Sequence, residues 1–225
     1  MEKHKNPEVK EAFDYLTEVR GLSEDTIRKF CLGYVPRCVT NEFGDTHEVA
    51  GRIIIPIFNQ YGQLIALSSR DWRKDAFRKF WHESYPKSLY LFGLDIAKEY
   101  IIKYDLCIIV EGEFDVMTLH DKGLNCAVGA VGTALQLYQI SLLKRYCSDI
   151  YFVFDGDLAG LHALKRAMKL VSQYNLRGCD INVVPVYLSK DDDPDSIVFE
   201  HGRAAFVNIL KKAKEEAKER NLYDR

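Results

Sequence analysis

Three groups of carboxylates are spaced as a metal site would space them. Glu111 and Asp115 frame the run EGEFD, directly after the apolar stretch LCIIV. Asp155 and Asp157 form DGD after IYFVF, and Asp191, Asp192, Asp193 and Asp195 form DDDPD after VVPVYL. Each group follows an apolar, β-branched run of strand length, so each is expected at the carboxyl end of a buried strand. In open parallel sheets, ligands bind beyond those ends. Carboxylates crowded there repel one another unless a cation sits between them. Oxygen ligands without His or Cys favour Mg²⁺ or Mn²⁺. Such an ion among phosphate oxygens suits phosphoryl transfer.

A lone strand-end aspartate is more often a cap or a solvated residue. EGEFD and DGD together, at two strand ends, point to a site. In DDDPD the capping role competes, because Asp193 precedes Pro194 as a helix cap would. Gly112 follows Glu111, and Gly156 separates the two aspartates, where a sharp turn or a close approach to a ligand needs no side chain. Gly129, Gly132 and Thr133 stand at a third strand end, as a tight turn or as part of the site's framework.

A second chemistry-bearing stretch is basic and aromatic. Arg70, Arg73, Lys74, Arg78, Lys79 and Lys87 interleave with Trp72, Phe77, Phe80, Trp81 and Tyr85. Cations neutralise phosphates and aromatic faces stack on unpaired bases. Core aromatics flanked by ordinary surface cations are the competing reading, weakened by the nearby acidic groups.

These residues need a scaffold, and the apolar periodicity supplies one. Residues 7–19 and 24–32 read as two short helices, with Gly21 between them, Ser23 capping the second and Gly33 ending it. Such a pair is more often a packing unit than a DNA-reading helix-turn-helix. GRIIIPIF, NQYGQ and LIALSSR read as a hairpin, and residues 71–93 as a working surface loop. From residue 105 the pattern alternates strand and helix four times, which predicts a parallel sheet with both faces covered. The segment 203–220 is a helix carrying both charge signs, expected to present a solvated face. The fold class is therefore α/β, in three parts: a helical and hairpin subdomain over 1–100, a catalytic domain over 101–202 and a carboxyl-terminal helix over 203–225.

Composition narrows the classes without deciding among them. The chain has 225 residues, 47% hydrophobic and 28% charged, with a formal net charge of −2. Bulk charge gives no sign of nucleic-acid binding, so any such surface must gather its cations on one face. The six cysteines form no CxxC pair and lack zinc-ligand spacing. Cys107 sits inside an apolar run, as a core thiol does. Reduced thiols, a charged amino-terminal stretch and no apolar run of spanning length lead to the expectation of a cytoplasmic protein without membrane contact.

EGEFD, AVGTA, YFVFDGDLAG and DPD together resemble the Toprim domain of topoisomerases, bacterial-type primases and some nucleases. RGLSEDTIRKFCLGYVP and GRIIIPIFNQYGQLIALSSR are similar to the opening stretch and the hairpin of the polymerase core of bacterial-type, phage-like DNA primases, and KSLYLFGLDIAK is similar to their link into the Toprim domain. The resemblance implies a Toprim parallel sheet flanked by helices, and RNA primer synthesis on single-stranded DNA from NTPs. Glu111, Asp155 and Asp157 match the family's catalytic metal-binding acids, and Asp115, Asp193 and Asp195 its further acidic positions. Arg70, Lys79 and Lys87 match basic residues that face nucleotide or template. A replicative helicase or a separate zinc-ribbon protein would be further partners. Two departures stand out: Ser68-Ser69-Arg70 replaces a Gly-Gly-Arg-like hairpin end, and neither a zinc ribbon nor a helicase-binding bundle flanks the core. An excised core, a minimal phage or mobile-element form, or a relative with drifted activity would fit that departure. A Toprim nuclease using water as nucleophile, and a non-catalytic DNA-binding accessory module, are the alternative functions.

Overall fold

The computed structural model describes residues 6–40, 42, 47–73, 75–131, 134–175 and 182–219. Lys74, Gly132, Thr133 and Cys179 lie outside the described residues. The chain divides into two compact units, Met1–Phe58 with Gln63–Tyr85, and Asn59–Gly62 with Pro86–Arg225.

The first unit opens with helix α1 (Pro7–Asp14), capped by Asn6, whose Oδ1 accepts from the Glu8 N–H at 3.0 Å. A π-helical turn, Tyr15–Val19, continues it. Helix α2 (Glu24–Lys29) is capped by Ser23, whose Oγ accepts from Thr26 N at 3.2 Å. That helix ends before Gly33: Cys31 takes a left-handed φ of 54°, and Gly33 already belongs to strand β1 (Gly33–Val35). The predicted hairpin is present as β2 (Arg52–Phe58) and β3 (Leu64–Arg70). Strand β4 (Phe80–His82) extends it, inside the stretch expected to be a loop. These strands form one antiparallel sheet in the order β1-β2-β3-β4. Ile53, Ile55 and Ile57 are buried on one side of β2, as strand alternation requires.

The second unit carries the alternating pattern. Helix α3 (Leu94–Tyr104) precedes β5 (Leu106–Val110), α4 (Glu113–Asp121), β6 (Ala127–Gly129) and α5 (Leu137–Leu143). Strand β7 (Asp149–Val153), α6 (Leu158–Asn175), β8 (Asn182–Val186) and α7 (Pro194–Glu219) follow. The strands are parallel, in the order β6-β5-β7-β8. Every residue of β6 and β7 is buried, so both faces of the sheet are covered, which is why these strands read as unbroken apolar runs. Cys107, Cys126 and Cys147 join this core as free thiols, and burial pushes the last two up to about 11 and about 12. Helix α7 is kinked at Gly202 (φ 77°, ψ 170°). Beyond the kink, Phe206, Leu210 and Ala217 are buried, and Lys214 pairs with Asp149 at 2.7 Å. Most of its other charged residues are exposed, while its apolar stripe packs within the second unit. Among the described residues, no helix is long and apolar enough to cross a membrane.

Candidate active site

Sheet order explains how acids distant in sequence meet. Strands β5 and β7 are hydrogen-bonded neighbours, with Ile109 opposite Phe152. Glu111 and Asp155 therefore leave adjacent strands at the same carboxyl edge. The Asp155 N–H donates to Glu111 Oε1 at 3.4 Å. Asp115 sits in the first turn of α4, where its Oδ2 accepts from Gly112 N at 2.9 Å. Asp157 Oδ1 accepts from Gly160 N at 2.7 Å in the first turn of α6.

The third acidic group is tied to the second by backbone. Gly156 N donates to Asp192 O at 2.8 Å, and a Cβ on Gly156 would collide with the Ser189 carbonyl. Neither Gly112 nor Gly156 has a positive φ. Gly156 is needed because the loop after β8 lies against it, rather than for a left-handed turn. Asp193 does cap α7: its Oδ1 accepts from Ser196 N at 2.6 Å. Its charge nevertheless reaches Asp155 and Asp115.

The carboxylates are electrically uncomfortable without a counter-charge. Burial, then the charges of Glu111, Asp193 and Asp157, push the Asp155 carboxyl up to about 6. Burial and then the charge of Asp155 hold Asp115 well above the usual range; the Gly112 N–H opposes this, and Asp195 and Asp193 add to it. Burial is also the main reason Glu111 is raised, with the Asp155 N–H opposing and Asp157 reinforcing. Among the described residues, Asp155 Oδ1 is a buried acceptor with no hydrogen-bond partner. A buried orphan oxygen among mutually repelling carboxylates is the donor set a hard divalent cation fits. Among the described residues, no three His, Cys, Asp or Glu side chains are drawn in closely enough to cage an ion as they stand.

Sequence reasoning missed Arg166. It lines a cavity of about 250 Å³ together with Glu111 and Phe154, and its positive charge acts on Glu111. Its place nine residues after Asp157 on an amphipathic helix carried no distinguishing signal.

The basic residues divide between the units. In the first, Arg70 lies over the Phe80 ring at 4.5 Å, a cation–π contact, and its Nε is buried without a hydrogen-bond partner among the described residues. Arg73 is paired with Asp71 through two side-chain bonds of 2.8 and 2.5 Å, while its side chain stays 43% exposed. Arg78, Lys79 and Phe77 are exposed. In the second unit, Lys87 is half-buried in a 3₁₀ turn; burial lowers its pKa and the Glu113 charge partly restores it.

Comparison with known proteins fits this geometry. Residues 108–198 match the family described as Toprim-like. The DNA primase of Aquifex aeolicus is 30% identical over 89% of this chain and 45% of the relative. That of Synechococcus elongatus is 32% identical over 92% of this chain and 34% of the relative. The chain thus spans less than half the length of these curated relatives. A solved DnaG primase catalytic domain bound to single-stranded DNA superposes with a TM-score of 0.80 at 27% identity, over 92% of this chain and 75% of that one. The second unit carries a Toprim-like domain, in a chain related along most of its length to the catalytic core of bacterial DNA primases.

Proposed function

We propose that this chain is a primase catalytic core, joining NTPs into a short RNA primer on a single-stranded DNA template. The observation that carries the reading is the meeting of Glu111 and Asp155 at the ends of β5 and β7, with Asp155 Oδ1 buried and unpartnered among the described residues. Glu111, Asp155 and Asp157 would hold Mg²⁺ or Mn²⁺, with Asp115, Asp193 and Asp195 adding negative charge around it. When bound, the ion supplies positive charge to the triphosphate and acidifies the primer 3′-hydroxyl.

The protein's own groups do the rest. Asp157 and Asp193 each use one oxygen to cap a helix, which fixes the orientation of the other oxygen. Asp115 is locked by Gly112 N in the same way. Arg70, Lys79 and Lys87 would neutralise triphosphate or template phosphates. Phe77, fully exposed beside Arg78, offers a face on which an unpaired base can stack. Net transfer joins the primer 3′-oxygen to the α-phosphorus and releases pyrophosphate with the hydroxyl proton.

Incubation with labelled NTPs, a single-stranded template and Mg²⁺ or Mn²⁺ tests this, beside an NTP-free cleavage assay on the same DNA. Primer products without cleavage support the reading. Cleavage without primers would assign the same acids to a nuclease, and neither product would leave a DNA-binding module.

A further inference from the structure

Arg52 is a largely buried cation whose guanidinium is turned onto protein acceptors. Its side chain is 8% exposed, at the start of β2. Its Nε donates to Ser69 Oγ at 2.8 Å, and its Nη2 to the carbonyls of Arg78 and Lys79 at 2.9 and 3.1 Å. Nη1 stands 3.6 Å from Asp71 Oδ2. One guanidinium therefore touches β3 beside Arg70, the start of the segment 71–79 and its end. The Asp71 N–H closes the same segment by donating to Lys79 O at 2.8 Å.

The two side-chain partners are as buried as the cation. Ser69 is fully buried and Asp71 nearly so. Burial alone would raise the Asp71 carboxyl, but the Arg73 hydrogen bonds and the charges of Arg73 and Arg52 hold it below its usual range. A buried guanidinium with several hydrogen-bonded partners contributes geometry, because its planar fork fixes those acceptors at once. Lysine has the charge without the fork. A hairpin ending in Gly-Gly-Arg could not supply the Ser69 hydroxyl, so this anchor belongs to the Ser68-Ser69 departure in this chain.

We infer that Arg52 is a positioning residue that clamps both ends of the segment 71–79, holding Arg70 and Lys79 where they meet nucleic-acid phosphate. The inference rests on the proposed DNA-binding role of Arg70 and Lys79. It assigns Arg52 no ligand contact.

A double-mutant cycle tests it. Binding of fluorescein-labelled oligo(dT) is measured for the wild-type protein and for Arg52→Lys, each with and without Arg70→Ala/Lys79→Ala. Arg52→Lys keeps the charge but should weaken binding by about tenfold, because coupled neighbours interact at this scale. In the Arg70→Ala/Lys79→Ala background the same change should cost less than about twofold. Ser69→Ala should show a smaller loss of the same kind, and trypsin should cut after Arg78 faster in both single variants.

Equal losses in both backgrounds would mean general destabilisation and overturn the positioning role. So would wild-type binding and trypsin resistance in Arg52→Lys and Ser69→Ala while Arg70→Ala/Lys79→Ala binds weakly, a result that leaves the DNA-binding reading standing. Wild-type affinity in Arg70→Ala/Lys79→Ala would overturn that reading itself, and the positioning role with it.

Discussion

The Asp155 N–H donates to Glu111 Oε1 at 3.4 Å, linking the ends of two neighbouring strands across 44 residues of sequence. This bond orients one carboxylate by the backbone of another. Glutamine at position 111 keeps an acceptor oxygen for it, so Glu111→Gln should fold. An amide is a poor ligand for a hard cation, and primer synthesis should fall by at least on the order of 100-fold. Near-wild-type synthesis by a folded variant would remove Glu111 from the chemistry.

The raised carboxyls make the metal-free protein more stable in mild acid. Asp155 titrates near 6 in the folded state and lower when unfolded, so the folded form binds more protons between about 4 and 6. Stability should therefore rise as pH falls through that window, with Glu111 and Asp115 acting in the same direction. Partial solvent screening keeps the Asp155 share on the order of 1 kcal/mol. Thermal melts in EDTA at pH 5 and 7 check the sign. Millimolar Mg²⁺ at pH 7 should raise the melting temperature, because it binds the native state.

Gly156→Ala should separate the second and third acidic groups. The added methyl meets the Ser189 carbonyl and closes on Asp192 O, and neither is a flexible side-chain end. Overpacking of this kind costs roughly 1–3 kcal/mol. Urea unfolding should show that loss, and primer synthesis should fall further than stability alone explains. An unchanged unfolding curve would mean the loop after β8 is not held there.

The strands that hold the acids were legible because parallel strands buried on both faces read as apolar runs, as Ile108–Val110 and Ile150–Phe154 do. The acids were legible because they end those runs. Strand β4 was not, since Phe80, Trp81 and His82 are each half-buried and show no alternation. Helix α3 was passed over as a linker despite buried Leu94, Ala97 and Ile101 at helical spacing. The Arg52 clamp was invisible because its partners lie 17 to 27 residues away and all look like surface residues. The end of α2 was misplaced because Cys31, rather than Gly33, adopts the left-handed conformation.

Helix α7 is part of the second unit's core. Phe206 is fully buried beyond the Gly202 kink. Phe206→Ala should cost about 3–5 kcal/mol, as large core truncations do. Chemical denaturation measures it directly. A loss below about 1 kcal/mol would mark the segment after Gly202 as a loosely attached appendage.

The central proposal is that the carboxylates at the ends of β5 and β7 hold the metal, and Mn²⁺ binding followed by electron paramagnetic resonance tests it most directly. The wild-type protein should take up Mn²⁺ at a site that Asp155→Asn abolishes, while binding of single-stranded DNA without metal stays intact or improves. Identical Mn²⁺ isotherms for the two proteins would contradict the assignment of these acids as the metal site.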